Sequence, residues 1–153
     1  MTIVDGSGAV LLDSFVRPAR AVTDYRTWVS GIRKQDLQGA PALSQVRQTV
    51  LELLRPRPIV VGHSIANDLK ALKLQHVFPQ SRIRDTATFG PLARLDGRPR
   101  ALRELVAEHT GVEIQTGQHS SLDDARATLY LYLINMLVWE REIERQQATS
   151  SRD

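Results

Sequence analysis

The segment PIVVGHSIANDLKAL, residues 58–72, most strongly constrains the fold, because a short strand pattern passes directly into a helical one. Its first part is β-branched and uncharged, as is typical of a strand that is buried on both faces. Its second part repeats Ile65, Leu69 and Leu72 at the spacing of one helical face, which predicts a helix over residues 65–74. A buried strand followed at once by an amphipathic helix indicates an α/β fold.

Short strands and amphipathic helices continue on both sides of this segment. DGSG, residues 5–8, is a hairpin-turn signal, and Pro41 and Pro56 are placed to begin and to close a helix between them. The predicted order is a hairpin of strands at 1–4 and 9–16, a helix at 42–54, the strand and helix above, a strand within SRIRDT at 81–86, and helices at 100–109 and from Ser120 or Ser121 to about Glu144. We therefore expect a mixed sheet flanked by helices in one domain over residues 1–144, with a polar tail at 145–153 that frays.

The length of 153 residues suits one domain with a proper core, and the lack of cysteine excludes disulfides, thiolate-bound zinc and a cysteine nucleophile. The N-terminus has no basic segment of the kind found in secretory signals. The most apolar run, residues 129–139, is about half of the ~20 residues needed to span a bilayer. We expect a soluble intracellular protein in which this run is buried, with a dimer surface as the alternative.

The chain carries a net charge of +3, and all but three of its 20 basic residues are arginines. The planar guanidinium of arginine suits phosphate recognition, so a nucleic-acid partner is one interpretation. On composition alone, a genomic preference for arginine codons is the favoured explanation.

The segment GQHSSLDDARATLYLY, residues 117–132, raises the question of chemistry. Ser121 and Asp124 fit a capping box, in which the acid stabilises the first helical turn by about 0.3–1 kcal/mol. For an isolated pattern of this kind, capping is the more common interpretation. The alternative is that His119 and Asp124 form half of a catalytic site, which requires a second carboxylate.

Asp68 supplies such a carboxylate, since it lies on the first turn of the helix that follows the buried strand. Acidic residues at helix starts beside strand ends can converge in the crevice where open α/β sheets bind ligands. Clustered carboxylates repel one another unless a cation neutralises them, and oxygen ligands favour Mg²⁺ or Mn²⁺. Clustered carboxylates with bound cations, together with a histidine that accepts a proton from water, are the groups used in two-metal phosphodiester hydrolysis.

Three segments, VVGHSIANDLKAL, RDTATF and GQHSSLDDARATLYLY, resemble the second half of DEDDh 3′–5′ exonucleases, which have the ribonuclease H-like fold. The sequence is most similar to the RNA exonuclease 4 family, and VTDYRTWVSGIRKQDL resembles that family's loop before the first helix. The resemblance covers roughly residues 1–140. It implies Mg²⁺ or Mn²⁺ as cofactor, the 3′ end of single-stranded RNA (or DNA) as substrate, processing of ribosomal RNA precursors, and a location in the nucleus or nucleolus.

The resemblance also implies roles for individual residues. Asp68 and Asp124 match metal ligands of the family, and His119 matches its general base. Asp85 matches a strand-end aspartate of structural type, and Asp123 is expected to face solvent as a capping residue.

The family's first motif, D-x-E on its first strand, is absent from this sequence. Asp5 falls in the hairpin turn and Asp13 is followed two residues later by Phe15, so neither replaces it. The chain begins where the family's second strand begins, so we expect a truncated form that lacks the first, central strand. A compromised domain that folds alone and a domain that receives the strand from another chain are the alternatives. Two of the four carboxylates should bind two divalent ions poorly.

The predicted substrate contacts surround these acids. Tyr25 and Trp28 are candidates for stacking on bases, worth about 1–3 kcal/mol per base, although each is also interpretable as a core or rim aromatic. His63 and Asn67 flank Asp68 and are candidates for the 3′-terminal sugar or phosphate, or for backbone capping. Candidate phosphate contacts, or alternatively a solvated charged face, are Arg17, Arg20, Arg26 and Arg33.

Two functions remain open at this point. The first is a metal-dependent 3′–5′ exoribonuclease, in which the two acids of the D-x-E motif are absent from this sequence. The second is a non-catalytic module, derived from the exonuclease fold, that binds single-stranded nucleic acid or a ribosome-assembly partner.

Overall fold

The computed structural model describes residues 1–56, 59–94, 96–114 and 119–150. Its elements are β1 (Thr2–Val4), β2 (Val10–Asp13), α1 (Thr27–Ser30), α2 (Leu43–Leu54), β3 (Val60–Gly62), α3 (Ile65–Ala71), β4 (Ile83–Asp85), α4 (Leu102–Thr110) and α5 (Ser121–Ser150), with 3-10 turns at Lys34–Leu37, Gln80–Arg82 and Gly90–Leu92. The predicted order of strands and helices is confirmed. The short helix α1 is an addition, in a region predicted as loop.

The N-terminal hairpin forms as predicted. β1 and β2 pair antiparallel with Ile3 opposite Leu12, and the register shifts after Ile3. The Asp5 carboxylate holds the turn by accepting hydrogen bonds from the backbone N–H groups of Ser7 (2.8 Å) and Ala9 (3.1 Å).

The helix α2 buries Val46, Val50 and Leu54 along one stripe, as its sequence period predicts. The Gln45 side chain accepts a hydrogen bond from the N–H of Ala42, the residue that caps the helix, at 2.9 Å. Pro41 therefore lies just before the cap and not at the first helical position, where it was expected.

The strands β3 and β4 pair in parallel, with Val60 opposite Ile83 and Gly62 opposite Asp85. Gly62 is required where β3 turns into α3, because a Cβ there would lie 2.6 Å from the Cβ of Ile65. The helix α3 ends at Ala71, three residues earlier than the predicted position 74.

The final helix differs from prediction at its end and on its surface. It continues through Ser150, so the expected fraying at 145–150 is wrong; Gln and Ala are good helix formers, and no Gly or Pro interrupts the segment. The expected burial of the run at 129–139 is also only half right, because Leu131 and Trp139 are buried whereas Leu137 is 69% exposed. Within the described ranges, no helix combines the length and apolarity needed to cross a bilayer.

Two apolar clusters pack against opposite faces of β3. Val60 belongs to the first cluster, with α2 and α3, whereas Val61 packs against the second, with α4 and α5. Alternate strand residues point to opposite faces, so β3 runs between two layers of helix. In the described part of the chain, however, β1–β2 and β3–β4 form two separate two-stranded sheets. The expected α/β architecture is thus present with a small sheet.

Candidate active site

The first turn of α5 is capped one residue earlier than predicted. Ser120 Oγ accepts a hydrogen bond from the N–H of Asp123 at 3.2 Å, and the Ser120 carbonyl accepts from the N–H of Asp124 at 3.0 Å. Ser121 Oγ instead forms a hydrogen bond with Thr2 Oγ1 at 2.7 Å, which ties the helix to β1. The predicted capping box of Ser121 and Asp124 is therefore wrong, and Asp123, which is exposed, occupies the third helical position.

The side chain of Asp124 lies beside His119, as the catalytic interpretation requires. His119 Nδ1 is 3.6 Å from Asp124 Oδ2, and the two side chains are 40% and 27% exposed. This separation is longer than a hydrogen bond, so the two side chains are close neighbours that are both open to solvent.

Asp68 lies on the first turn of α3, directly after β3. Its pKa is raised, first because partial burial desolvates the carboxylate and also because Asp85 adds negative charge nearby. The residue is exposed on its outer side, while its inner side borders a cavity. A positive charge placed here would restore the ordinary ionisation of Asp68.

Asp68 and Asp124 border the same cavity, which has a volume of about 690 Å³. The cavity lies among β1, β3 and the helices, and Ser121 also lines it. The structure therefore brings two acids from distant segments to one space, with His119 next to the second. That the two acids share metal ions beside His119 stays a prediction.

Asp85 has the structural role that was expected of it. Its carboxylate accepts hydrogen bonds from the N–H groups of Ser64 (2.7 Å), Ile65 (3.1 Å) and Ala87 (3.0 Å). It thereby fixes the start of α3, including the left-handed conformation of Ser64 (φ 55°), and orients the turn that carries Asp68.

His63 is half-buried between β3 and α3, with its Nδ1 3.0 Å from Thr86 Oγ1. Because Thr86 Oγ1 donates to the Gly62 carbonyl at 3.2 Å, its lone pairs remain for His63, and Nδ1 is assigned as the protonated nitrogen. Burial lowers the pKa of His63, against the raising effects of Asp85 and Asp124. A hydrogen bond with the backbone of Arg100 also raises this pKa, so His63 has two hydrogen-bond partners, Thr86 and Arg100, that the sequence did not reveal.

The aromatic segment is connected to the candidate base. The N–H of His119 donates to the carbonyl of Val29 in α1 at 3.0 Å. Trp28, one residue earlier, is 78% exposed, so the interpretation of Trp28 as a core aromatic is wrong. Tyr25 is half-buried, and Arg26 beside it is exposed. Asn67, also exposed, precedes Asp68 on α3.

A second recess of about 530 Å³ lies on the other side of the aromatic segment. Arg17, Arg20 and Tyr25 line it, and so does Lys34, which the sequence analysis did not single out. Three cationic side chains around one aromatic ring suit a phosphate–base repeat of a single strand. Arg33 is exposed close to Lys34 in sequence.

The side chains present do not amount to a complete metal centre. In the part of the chain that the structure describes, no three His, Asp or Glu residues are close enough together to hold an ion. Asp68 and Asp124 supply the oxygen chemistry that Mg²⁺ and Mn²⁺ prefer, but two such ions need more ligands than two carboxylates.

The fold and this site together define a class of protein. The sequence model of the exonuclease (RNase T) family matches residues 3–132, and the chain belongs to that family. Among solved structures it is similar to the catalytic unit of Neurospora crassa Pan2, which comprises a protease and a nuclease domain, with a TM-score of 0.77 and 20% identity over 99% of this chain and 26% of that one. This likeness shows the ribonuclease H-like fold.

The more specific resemblance is to proteins named RNA exonuclease 4. The Cryptococcus neoformans protein of that name is 46% identical over 147 residues, which are 95% of this chain and 35% of the relative. The Candida albicans protein is 40% identical over 153 residues, covering 99% and 51%. The chain thus spans between a third and about half of these relatives. A Saccharomyces cerevisiae Pan2 exonuclease module in complex with A7 RNA is 29% identical, with a TM-score of 0.73 over 97% of this chain and 26% of that one.

Proposed function

We propose that this chain forms most of the active domain of a 3′–5′ exonuclease that shortens single-stranded RNA. The observation that carries the proposal is the shared cavity of Asp68 and Asp124, with His119 3.6 Å from Asp124. RNA is the favoured substrate because relatives are named RNA exonuclease 4 and a similar module was solved with RNA. A role in processing ribosomal RNA precursors in the nucleus or nucleolus is part of the same proposal.

His119 acts as general base in this proposal. Its Nε2 accepts the proton of the attacking water, while Asp124 stabilises the imidazolium that forms. Asp68 and Asp124 would be two of the ligands for Mg²⁺ or Mn²⁺, two ions in the complete site, and the cation would supply stabilisation of negative charge at the scissile phosphate.

The surrounding side chains bind and orient the RNA. Trp28 offers an exposed ring for a base next to the His119 segment, and Tyr25 with Arg26 extends this surface. His63 lines the cavity together with Asp68 and suits a contact with the sugar or phosphate of the 3′-terminal nucleotide. Asn67 is placed to contact the same nucleotide from α3.

The decisive experiment compares two adjacent acids. Purified protein is incubated with 5′-labelled single-stranded RNA and Mn²⁺, and product ladders are resolved by electrophoresis. We expect stepwise 3′ shortening that falls by at least about 100-fold in Asp124→Asn and His119→Gln but is unchanged in Asp123→Asn, the matched control. Equal activity of Asp124→Asn and Asp123→Asn would contradict the proposal.

A second function, a non-catalytic module that binds single-stranded RNA or a ribosome-assembly partner, is favoured by one specific observation. The described residues lack a group of three potential metal ligands, and the sequence lacks D-x-E. This alternative predicts salt-sensitive RNA binding without divalent-dependent cleavage, unaffected by Asp124→Asn. Loss of a residual cleavage in Asp124→Asn would exclude it.

A further inference from the structure

The recess of about 530 Å³ beside the aromatic segment is separate from the cavity that Asp68 and Asp124 share. Its lining comes from residues 17–22, Tyr25, Lys34, Leu37 and Gln38. Among the described residues, the linings of the two spaces have no member in common. Pockets that hold small ligands have volumes of about 300–1,000 Å³, so this recess is large enough for a ligand of its own.

The lining of the recess combines apolar and cationic side chains. Its apolar members are Pro18, Ala19, Ala21, Val22 and Leu37. Tyr25 adds an aromatic ring that is half-buried, and the charged members are all cations, namely Arg17, Arg20 and Lys34. A base has a flat apolar face and a phosphate has negative charge, so a nucleotide of a single strand matches both parts of the lining.

The three cations of the recess are exposed, and no ion pair in the described part of the chain involves any of them. Two carboxylates that are near in sequence, those of Asp24 and Asp36, are engaged elsewhere. They accept hydrogen bonds from the backbone N–H groups of Arg26 (2.9 Å) and Arg33 (2.6 Å). The recess therefore presents an excess of positive charge, which attracts an anionic ligand.

Hydrogen bonds of the backbone hold the recess in shape. The N–H of Arg17 donates to the carbonyl of Pro41 at 2.9 Å, close to the start of α2. The carbonyl of Tyr25 accepts a hydrogen bond from Ser30 Oγ at 2.8 Å. Both bonds use backbone groups of the lining residues, so the side chains remain available to a ligand. A recess that is already formed loses little affinity to the ordering of its segments.

The aromatic segment connects the recess to the candidate active site. Tyr25 lines the recess, and Val29 accepts a hydrogen bond from the N–H of His119, the neighbour of Asp124. The four residues from Tyr25 to Val29 span at most about 14 Å, which is the rise of about four stacked nucleotides. Trp28, which is 78% exposed, lies between the two ends of this segment. A strand with its 3′ end beside Asp124 therefore reaches the recess after about four nucleotides.

We propose that the recess is a second RNA-binding site, which holds the strand about four nucleotides upstream of its 3′ end. One base stacks on Tyr25, and the three cations contact the neighbouring phosphates. From the sequence, these residues were expected around the two acids, whereas the structure places them in a recess of their own. The inference rests on the proposed function and adds a length requirement to it.

The length requirement follows because one strand joins two sites. Once the 3′ end is bound at the cavity, binding of the upstream nucleotides is intramolecular, and the linked sites exceed the affinity of either one by about 10²–10⁴-fold. RNA that reaches both sites should therefore be bound and shortened well, and RNA of fewer than about four nucleotides poorly. The chain should leave a short oligonucleotide as its limit product.

The binding test uses the whole chain in the absence of divalent ions, so that it does not depend on cleavage. Single-stranded RNAs of three and ten nucleotides, with a 5′ fluorophore and the same 3′ sequence, are titrated in fluorescence anisotropy at fixed salt. We expect the ten-nucleotide RNA to bind at least about 100-fold more tightly. We term this ratio of affinities the length gain.

Paired charge reversals locate the upstream site. Arg20→Glu with Lys34→Glu should reduce the length gain at least about 10-fold. It should also lower the slope of log affinity against log salt by about 1.4 for the ten-nucleotide RNA, since each phosphate contact of a single strand contributes about 0.7. Arg141→Glu with Arg145→Glu makes the same change of charge at exposed positions of α5 and should leave the length gain unchanged.

Variants of Tyr25 test the stacked base. Tyr25→Phe keeps the ring and should keep the length gain. Tyr25→Leu removes the ring and should lower the length gain about 5-fold or more, because one base is no longer stacked.

Cleavage gives a second readout once Mn²⁺ is added. The unaltered chain should shorten the ten-nucleotide RNA rapidly to about four nucleotides and slowly thereafter. In Arg20→Glu with Lys34→Glu the early steps should slow to the late rate, so that the change of rate disappears from the product ladder.

Three results would overturn the inference. These are equal affinity for the two RNAs, a length gain that survives the charge reversals in the recess, and a length gain that falls equally in the α5 control. The outcome is separable from that of the proposed function. Length-dependent binding through the recess without any cleavage contradicts the exonuclease alone, whereas cleavage at a rate independent of RNA length contradicts the recess alone.

Discussion

The two sides of the sheet formed by β3 and β4 differ in how completely their side chains are packed and hydrogen-bonded. On one side, which we term the anchored side, β4, Phe89 and residues 131–140 of α5 form a closed network. On the other, termed the open side, the cavity of about 690 Å³ is bordered by β1, β3 and residues 121–133 of α5. Helix α5 therefore packs in a filled interior near residues 131–140 and borders the cavity near residues 121–133.

On the anchored side, the buried charge of Arg84 is stabilised by an ion pair and by hydrogen bonds. Arg84, only 4% exposed, donates to both carboxylate oxygens of Glu140, at 2.8 and 2.6 Å, and the Tyr132 hydroxyl donates to the same carboxylate at 2.9 Å. Phe89 and Trp139 stack alongside with ring centroids 3.9 Å apart. Burial and the Glu140 charge together raise the pKa of Tyr132 to about 12, so its proton remains in place.

The open side has the opposite character. Asp68, Asp124 and His63 line its mostly apolar cavity, His119 lies 3.6 Å from Asp124, and Trp28 is 78% exposed. Stability and the proposed chemistry are therefore separated along α5. Stability should depend on residues near position 139, and nucleic-acid binding on residues near the helix start.

The largest effect is expected from Trp139→Ala. The ring is 6% exposed, stacks on Phe89 and contacts Tyr132 edge-on at 5.7 Å, so its removal leaves a large cavity. We expect a loss of about 3–5 kcal/mol in the free energy of unfolding, measured by urea denaturation. A loss below about 1 kcal/mol would mean that the anchored side does not dominate stability.

The next effect is expected from Glu140→Ala, which leaves the buried Arg84 guanidinium without its charge partner. The loss should be about 3 kcal/mol, at the low end for a buried pair because Glu140 is 30% exposed. Glu144→Ala, on the exposed part of α5, is the control and should change stability by less than about 0.5 kcal/mol. Replacing both partners, Arg84→Met with Glu140→Leu, should restore much of the loss.

Trp28→Ala should weaken RNA binding and leave stability nearly unchanged, whereas Trp139→Ala should mainly reduce stability. Because Trp28 is 78% exposed, the free energy of unfolding should change by no more than about 0.5 kcal/mol. RNA affinity, measured by anisotropy at fixed salt, should weaken by about 1–3 kcal/mol, the contribution of one stacked base. Trp28→Phe should retain most of the affinity, and full affinity in Trp28→Ala would remove this residue from the interface.

The sequence predicts regular elements well wherever apolar residues repeat. The stripe in α2 and the β-branched run of β3 are both local patterns, and both elements form as expected. The end of α5 was predicted too early because polar composition was interpreted as fraying, although Gln and Ala favour helix. Two adjacent serines, each three residues before an aspartate, allow two capping boxes, and a pattern alone does not choose between Ser120 and Ser121.

The candidate site was predictable where a motif marks it and hidden where it depends on tertiary contacts. Asp68, Asp124 and His119 stand in recognisable segments; the first two line one cavity, and His119 lies 3.6 Å from Asp124. Trp28 lies in α1, which is joined to His119 by a backbone hydrogen bond, and His63 contacts Thr86, directly after β4. Neither contact can be predicted from a sequence pattern, because each joins segments that are far apart in the chain.

The smallest predicted effect tests whether His63 on the open side is held neutral. Burial lowers its pKa below the ordinary value of 6.5 in the folded state only. As the pH falls below 6.5, the unfolded chain binds a proton that the folded one does not, so stability decreases by at most about 1.4 kcal/mol per pH unit, until the folded pKa is reached. Above 6.5 His63 contributes no such dependence.

This dependence is measurable as a difference between variants. Urea denaturation between pH 7.5 and 5 should show a decrease that is smaller in His63→Gln than in the unaltered chain, and unchanged in His76→Gln, an exposed control. The effect of Asp68 can be told apart from that of His63. The pKa of Asp68 in the folded state is raised from 3.8, so its contribution to the pH dependence of stability has the opposite sign. That contribution ends at still lower pH, where Asp68 is protonated in both the folded and the unfolded chain. An identical pH profile in His63→Gln would show that His63 is protonated as readily in the folded chain as in the unfolded one.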